Sequence, residues 1–227
     1  MLNEMLRLIF PPRCIFCKSL LSVGTTIEIC SGCHTKIPFI HGNIVETAGE
    51  KLYKSHCDGI ICACEYSGII KEGLIKYKFF DKASYYRAFA KLLSNRIKNM
   101  TRNTKFDIII SVPLHKERER IRGYNQALLI SKFVSRELGV AENSRVLRRI
   151  RNTQSQSLLN KEERHVNIRD AFSVSGACEI SGKTILLIDD VLTTGSTVNE
   201  CSRVLKEAGA KAVIAAVVAS GKKFNYE

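Results

Sequence analysis

No apolar run in the chain approaches the ~20 residues that a membrane-spanning helix requires. The longest, around Ile185 and over 212–219, are strand-sized, and residues 1–10 carry Glu4 and Arg7, so neither a span nor a signal-peptide core is expected. Acid is scarce relative to base: 22 Asp and Glu stand against 35 Lys and Arg, a formal charge of +13. An excess of this size implies anionic partners, polyphosphates or nucleic acids, or else serves solubility. The nine cysteines are an odd number concentrated in CxxC pairs, which suits metal binding in a reducing compartment better than a secreted disulfide framework. No internal repeat or low-complexity tract is evident. A soluble, cytoplasmic location is expected, and 227 residues with 45% apolar content allow one good core plus a small appendage.

Two of the cysteine pairs, Cys14-Ile15-Phe16-Cys17 and Cys30-Ser31-Gly32-Cys33, are separated by twelve residues, a zinc-ribbon or treble-clef spacing. Two such turns can close a four-thiolate structural zinc site with no open position for catalysis. A segment of ~40 residues has little core of its own, so the metal should supply much of its folding free energy. The alternative is four reduced, unmetallated thiols or disulfides. Cys57, Cys62 and Cys64 read as small buried thiols on a strand over 57–66, with a metal site as the lesser alternative. His34 and His41 are available as substitute ligands. The zinc module is assigned to residues 1–50, an α/β domain to 51–227, and the linker to 41–55.

The richest stretch is Ile185-Leu186-Leu187-Ile188-Asp189-Asp190-Val191-Leu192-Thr193-Thr194-Gly195-Ser196-Thr197. A β-branched strand over 184–188 gives way to two acids and a small-residue loop, after which Val198, Cys201, Leu205 and Ala208 recur at helical spacing until Gly209. Thr197 and Glu200 have the spacing of a capping box. Gly195 lets backbone approach an anion, the hydroxyls of Thr193, Thr194, Ser196 and Thr197 can donate, and the helix start adds free N–H groups and its dipole. Successive strand residues point oppositely, so at least one of Asp189 and Asp190 should face the crevice at the carboxyl end of the sheet. Paired acids beside a phosphate cradle suit ribose hydroxyls or a hydrated divalent cation brought in with the ligand.

Helical patterns over 71–78, 85–97 and 126–138 alternate with a strand over 106–112, predicting a parallel sheet flanked by helices. Residues 152–174 are polar and poorly periodic, and are expected to form a small cap. Pro113 ends the second strand, and His115, Lys116, Arg118 and Arg122 follow it, a natural pyrophosphate site. Lys76, Lys78, Arg145, Arg148, Arg149 and Arg151 extend the basic surface and are expected to be solvated.

The acid pair and its loop resemble the phosphoribosyl-pyrophosphate (PRPP) loop of type I phosphoribosyltransferases. That resemblance implies that Asp189 and Asp190 are the catalytic acids holding the ribose 2′ and 3′ hydroxyls. It implies that Val191 belongs to the PRPP site, that Thr193, Thr194, Gly195, Ser196 and Thr197 hold the 5′-phosphate, and that Mg²⁺ accompanies PRPP. Purine-salvage members carry an acid as general base where this chain has Thr193, which argues against purine salvage. More of the chain fits one subfamily. Val112-Pro113-Leu114-His115 precedes Arg118 and Arg122-Gly123-Tyr124-Asn125-Gln126-Ala127; Thr153 and Gln156 precede Glu163, Arg164 and Asn167; and the four-cysteine module stands in front. On these features the chain resembles the ComF (ComFC) family, in which a zinc finger precedes a phosphoribosyltransferase-fold domain and which is implicated in natural competence.

The resemblance implies PRPP binding, single-stranded DNA handling in the cytoplasm, and other DNA-uptake proteins as partners. A working transferase acting on an unidentified nucleobase or other acceptor is the alternative, and a PRPP-sensing regulator a third. Phe16, Phe39, Tyr77, Phe79, Phe80, Tyr85 and Tyr86 either stack bases between cations or fill the core.

Overall fold

The computed structural model describes residues 11–22, 24–42, 45–46, 55–80, 82–101, 104–153 and 167–221. Helix α1 (Ser31–His34) carries the second cysteine pair, and strand β1 (Val45–Glu46) follows. Then come β2 (Gly59–Glu65), α2 (Gly68–Phe79), α3 (Tyr86–Met100), β3 (Ile108–Ser111), α4 (Lys116–Arg122) and α5 (Gln126–Leu138). The chain continues through β4 (Leu147–Arg149), β5 (Phe172–Val174), β6 (Thr184–Leu192), α6 (Ser196–Glu207) and β7 (Ala212–Ser220). The main sheet runs β1-β2-β7-β6-β3, with all pairings parallel except β1 against β2, and β4 pairs with β5 in a separate antiparallel ribbon. Four strands therefore present their carboxyl ends along one edge, where ligands bind in open α/β sheets.

Period-two alternation divides the core into two layers. Leu186 and Ile188 join one layer with Tyr77, Phe89 and Ile130 from α2, α3 and α5. Ile185 and Leu187 join the other with Cys201 and Leu205 from α6 and Phe172 from β5. Both faces of β6 are thus covered, which is why its sequence reads as a continuous apolar run rather than an alternating one.

The expected helix over 126–138 forms with those bounds, capped by Asn125 at its start and closed by Gly139 at φ 68°. Others differ at their ends. The helix expected over 85–97 begins with a 3₁₀ turn at 83–85 and extends to Met100, and that over 71–78 starts at Gly68. The segment after β3 is not a plain turn: His115 caps α4, its Nδ1 accepting from the Glu117 N–H, and Gly123 ends that helix at φ 79°. No capping box forms at Thr197 and Glu200. Left-handed Gly195, φ 84°, is the N-cap of α6 two residues earlier, and Glu200 instead accepts from the Asp170 N–H at 2.7 Å and from Arg203 at 2.6 Å. Of the cap expected over 152–174, residues 154–166 lie outside the described residues, and its end supplies β5. Most of the linker placed at 41–55 lies outside them as well.

The four-cysteine module is not a separate bead. Cys14, Ile15, Ile29, Cys33 and Ile37 are buried in the same layer as α2 and α3. Residues 38–40 run beside β2, with the Ile40 N–H donating to the Ala63 carbonyl and the Glu65 N–H to that of Pro38. The tightest junction is Gly73 on α2, where an added Cβ would lie 2.8 Å from the Phe16 ring and 3.1 Å from that of Phe89. A Gly73→Val protein is therefore expected to lose about 1–3 kcal/mol of stability by overpacking, measured as a shift of the urea midpoint. An unchanged midpoint would show that the ribbon does not press on α2.

Candidate functional site

The motif that follows β3 is built to place cations. Gly123 in the left-handed region turns the chain out of α4, and the Asn125 side chain accepts from the N–H groups of Ala127 and Leu128 while donating to the Val112 carbonyl at 3.1 Å. The Tyr124 hydroxyl donates to the Tyr77 carbonyl, and the buried Tyr77 hydroxyl donates to the Gln126 carbonyl at 2.9 Å. The end of α2 is thereby fastened to the start of α5. Lys78 and Phe79, which follow Tyr77, are held over the carboxyl edge of the sheet.

That edge carries a cavity of about 250 Å³. Asp189 and Asp190 line it from β6, Arg118 and Arg122 from α4, Arg149 from β4 and Lys78 from α2. The alternation of β6 sends the two acids to different layers. Asp190, on the α2 side, is 7% exposed and its Oδ1 lies 2.9 Å from Lys78 Nζ. Asp189, on the other side, is half-buried, and its Oδ1 accepts the Asp190 N–H at 2.8 Å. Burial first, and then the neighbouring Asp190 carboxylate, pushes the Asp189 carboxyl up to about 7. Burial followed by repulsion from Arg118 pushes the Arg149 guanidinium down to about 10.

The cavity also holds unmet hydrogen-bonding capacity. Among the described residues, Gln126 Nε2 and Arg149 Nε are buried donors without a partner. Gln126 is 2% exposed, with its Oε1 accepting from Arg122 at 3.2 Å. Leaving a buried donor unpaired costs about 1–3 kcal/mol, which an acceptor-rich ligand would recover. A second cavity of about 460 Å³ lies across the wall made by Pro113, Leu114 and Asn125. Its Ser111 and Ser144 hydroxyls are bonded to each other and Ser144 to Glu142, so they offer less to a ligand.

Of the predicted anion-binding residues, Val191, Thr193, Thr197, Arg118 and Arg122 line the smaller cavity with the acid pair. Thr194, Gly195 and Ser196 form the turn behind it: Thr194 Oγ1 lies 2.8 Å from Ser196 Oγ and accepts from the Ser196 N–H. His115 and Lys116 do not line it, because His115 caps α4 and Lys116 is exposed on its first turn. Gln156, Glu163 and Arg164 lie outside the described residues.

Two side chains expected to be solvated face inward instead. Lys78 is paired with Asp190, and Arg149 is half-buried with its guanidinium over the Phe172 ring at 5.5 Å and bonded to Thr153. Arg149 is one of four arginines over 145–151, and no pattern there singles it out. Nothing local marks Lys78. Of the aromatics, Tyr77 and Tyr85 are buried and Phe16, Phe39 and Tyr86 pack on the core, whereas Phe79 and Phe80 are 64% and 62% exposed. Arg122 stacks over the Phe79 ring at 5.2 Å.

The four N-terminal cysteines converge, with ligand atoms all within 4.8 Å of one another and Cys17 Sγ 3.6 Å from Cys30 Sγ. Four sulfurs at ~2.3 Å from one ion would stand at about this separation. Burial and the three neighbouring sulfurs push the Cys33 thiol up to about 12, so four thiolates require a cation among them. The donor set fits a structural zinc. Among the described residues no histidine takes part, and the His34 ring packs at a tilt against Phe39 at 5.2 Å. Cys57, Cys62 and Cys64 are buried away from the cluster, with Cys62 pushed up to about 12 by burial.

Comparison with known proteins agrees with this division of labour. A phosphoribosyl transferase domain model matches residues 79–225, and a double zinc ribbon domain model matches residues 5–65. Competence protein F of Haemophilus influenzae is 30% identical over 217 residues, covering 88% of this chain and 93% of that protein. Competence protein ComFC of Bacillus subtilis is 27% identical over 231 residues, covering 88% and 91%. DNA utilization protein YhgH of Escherichia coli is 31% identical over 157 residues, covering 68% of each. No helix among the described residues is long and apolar enough to cross a membrane.

Replacing Cys33 by Ser is expected to reduce bound zinc from about one ion per chain to a small fraction of that and to lower the unfolding temperature. Elemental analysis and a thermal melt check both. Full zinc occupancy in the variant would show that the cluster is not the metal site.

Proposed function

We propose, since the chain belongs to the ComF (ComFC) competence family and carries its phosphoribosyl transferase domain, that the cavity at the carboxyl edge binds PRPP in a protein that handles single-stranded DNA in the cytoplasm. The observation that carries the reading is the meeting of Asp189 and Asp190 with Arg118, Arg122 and Arg149 around one cavity. The acids match a ribose diol, the guanidiniums match polyphosphate oxygens bidentately, and the start of α6 behind Gly195 matches a phosphate. The DNA reading is supported by the +13 charge, by exposed Lys76, Lys116 and Arg120 on the two helices that border the cavity, and by the exposed Phe79 ring. Other DNA-uptake proteins are the expected partners.

A working transfer is the second reading, favoured by the aromatic Phe79, which lines the same cavity as the acid pair. An acceptor nitrogen would form its bond to C1 of the ribose as the C1–O bond to pyrophosphate breaks. Asp189 and Asp190 would hold the ribose and the guanidiniums would stabilise the departing anion. Thr193 has no acid–base chemistry to remove the acceptor's proton, so the binding reading takes precedence. Pyrophosphate exchange with labelled PRPP across a panel of nucleobases separates the two, since exchange with any base would establish transfer.

Calorimetric titration of an Asp189→Asn, Asp190→Asn double variant should show PRPP binding reduced by at least about a hundredfold, near 2.7 kcal/mol, with single-stranded DNA affinity largely kept. DNA affinity itself should fall steeply as salt rises; its absence even at low salt would refute the DNA reading.

A pH dependence follows from Asp189. Its folded pKa, about 7, is raised above the ordinary 3.8, so its contribution to stability is present below 3.8 and is lost as pH rises through about 7. Ligand affinity runs the other way, because an ionised Asp189 carboxylate is a stronger acceptor for a ribose hydroxyl than the neutral carboxyl. PRPP affinity is expected to strengthen as pH rises through about 7, and Asp189→Asn should flatten the part of that slope not due to the ligand's own phosphates.

A further inference from the structure

Lys78 is positioned unlike a surface lysine. Its ammonium sits 2.9 Å from Asp190 Oδ1, with the two side chains only 21% and 10% exposed. The residue before it is locked at both ends of its hydrogen-bonding inventory, the Tyr77 hydroxyl to the Gln126 carbonyl and the Tyr77 carbonyl to the Tyr124 hydroxyl. The helix end that carries Lys78 is therefore fixed over the acid pair.

The cavity lining then holds four cations, Lys78, Arg118, Arg122 and Arg149, against two carboxylates, Asp189 and Asp190. It is poor ground for a divalent cation. Magnesium keeps several waters and is held through one or two open carboxylates together with the substrate's phosphates, so an ion carried in on the polyphosphate would need a free acid here while facing four cations. Here Asp190 is occupied by an ammonium, and one oxygen of Asp189 is occupied by a backbone N–H. It is good ground for a polyanion that arrives without its own metal, because Gln126 Nε2 and Arg149 Nε stand as further buried donors.

We propose that Lys78 is the built-in counter-cation of this pocket, released from Asp190 to the polyphosphate when ribose hydroxyls take its place there, so that PRPP binds without a divalent cation. This rests on the PRPP reading of the cavity. The exchange is physically economical. Asp190 trades one donor for another, and the ammonium, on a flexible four-carbon stem with three donors, needs only to swing toward the incoming phosphates.

The test is calorimetric titration of the full-length, zinc-loaded protein with PRPP in two buffers, one passed over chelating resin and one with excess magnesium. A chelator in solution is avoided because it would strip the ribbon, and zinc content is confirmed afterwards. Wild-type affinity should agree between the buffers within about threefold. Lys78→Gln should bind at least about tenfold more weakly in the metal-free buffer and regain most of that with magnesium, while Lys78→Arg should stay near wild type in both. A wild-type affinity that rises more than about tenfold with magnesium overturns the proposal, as does a Lys78→Gln loss of equal size in both buffers. Wild-type protein that binds no PRPP in either buffer rejects the PRPP reading itself. Should Lys78→Gln fail to fold, the wild-type comparison and Lys78→Arg decide the matter.

Discussion

The two-residue period of β6 is the constraint on which the candidate site depends. Four consecutive apolar residues fill both core layers, and the next two positions inherit those directions. Asp189 and Asp190 are adjacent in sequence but belong to opposite sides of the sheet. Asp190 pairs with Lys78 at the end of α2, while Asp189 lies on the side of Arg149 and still feels the charges of Asp190 and Lys78. A pair of acids on one face would crowd two charges against a single helix. Split across the edge, they bracket the open end of the strand, and a ligand seated there touches both layers at once.

Much of the arrangement could be read from the residues. Continuous β-branched runs marked the buried parallel strands, the Asn125 and Gly139 caps fixed α5, and the spacing of four cysteines anticipated their convergence. What could not be read was tertiary. Lys78 sits in an ordinary lysine-rich helix, and its pairing with Asp190 depends on Tyr77 and Tyr124 bringing α2 against α5. Arg149 looked like one of a surface cluster because the β4–β5 ribbon that turns it inward joins segments more than twenty residues apart. The capping box failed for a local reason that spacing alone does not reveal. A left-handed glycine already starts α6, freeing Glu200 to tie down Asp170 and Arg203.

The polar residues of the Arg-Gly-Tyr-Asn-Gln run serve architecture and chemistry together. Gly123 reverses the chain, Tyr124 clamps α2, Asn125 caps α5 and anchors Val112, and Gln126 turns its amide toward Arg122. A substitution in this run would move the cations as well as the backbone. Loss of binding after such a change therefore does not identify a contact residue unless the fold is checked alongside.

The seating of Phe16 against Gly73 and Phe89 bears on how the molecule can be divided. The metal module covers hydrophobic surface that belongs to α2 and α3, and its buried residues share one core with theirs. A cut between the two halves would leave wet surface on each. The ribbon is thus less an attached finger than a lid sealed onto the sheet's helical layer, packed on the same helix whose far end carries Lys78.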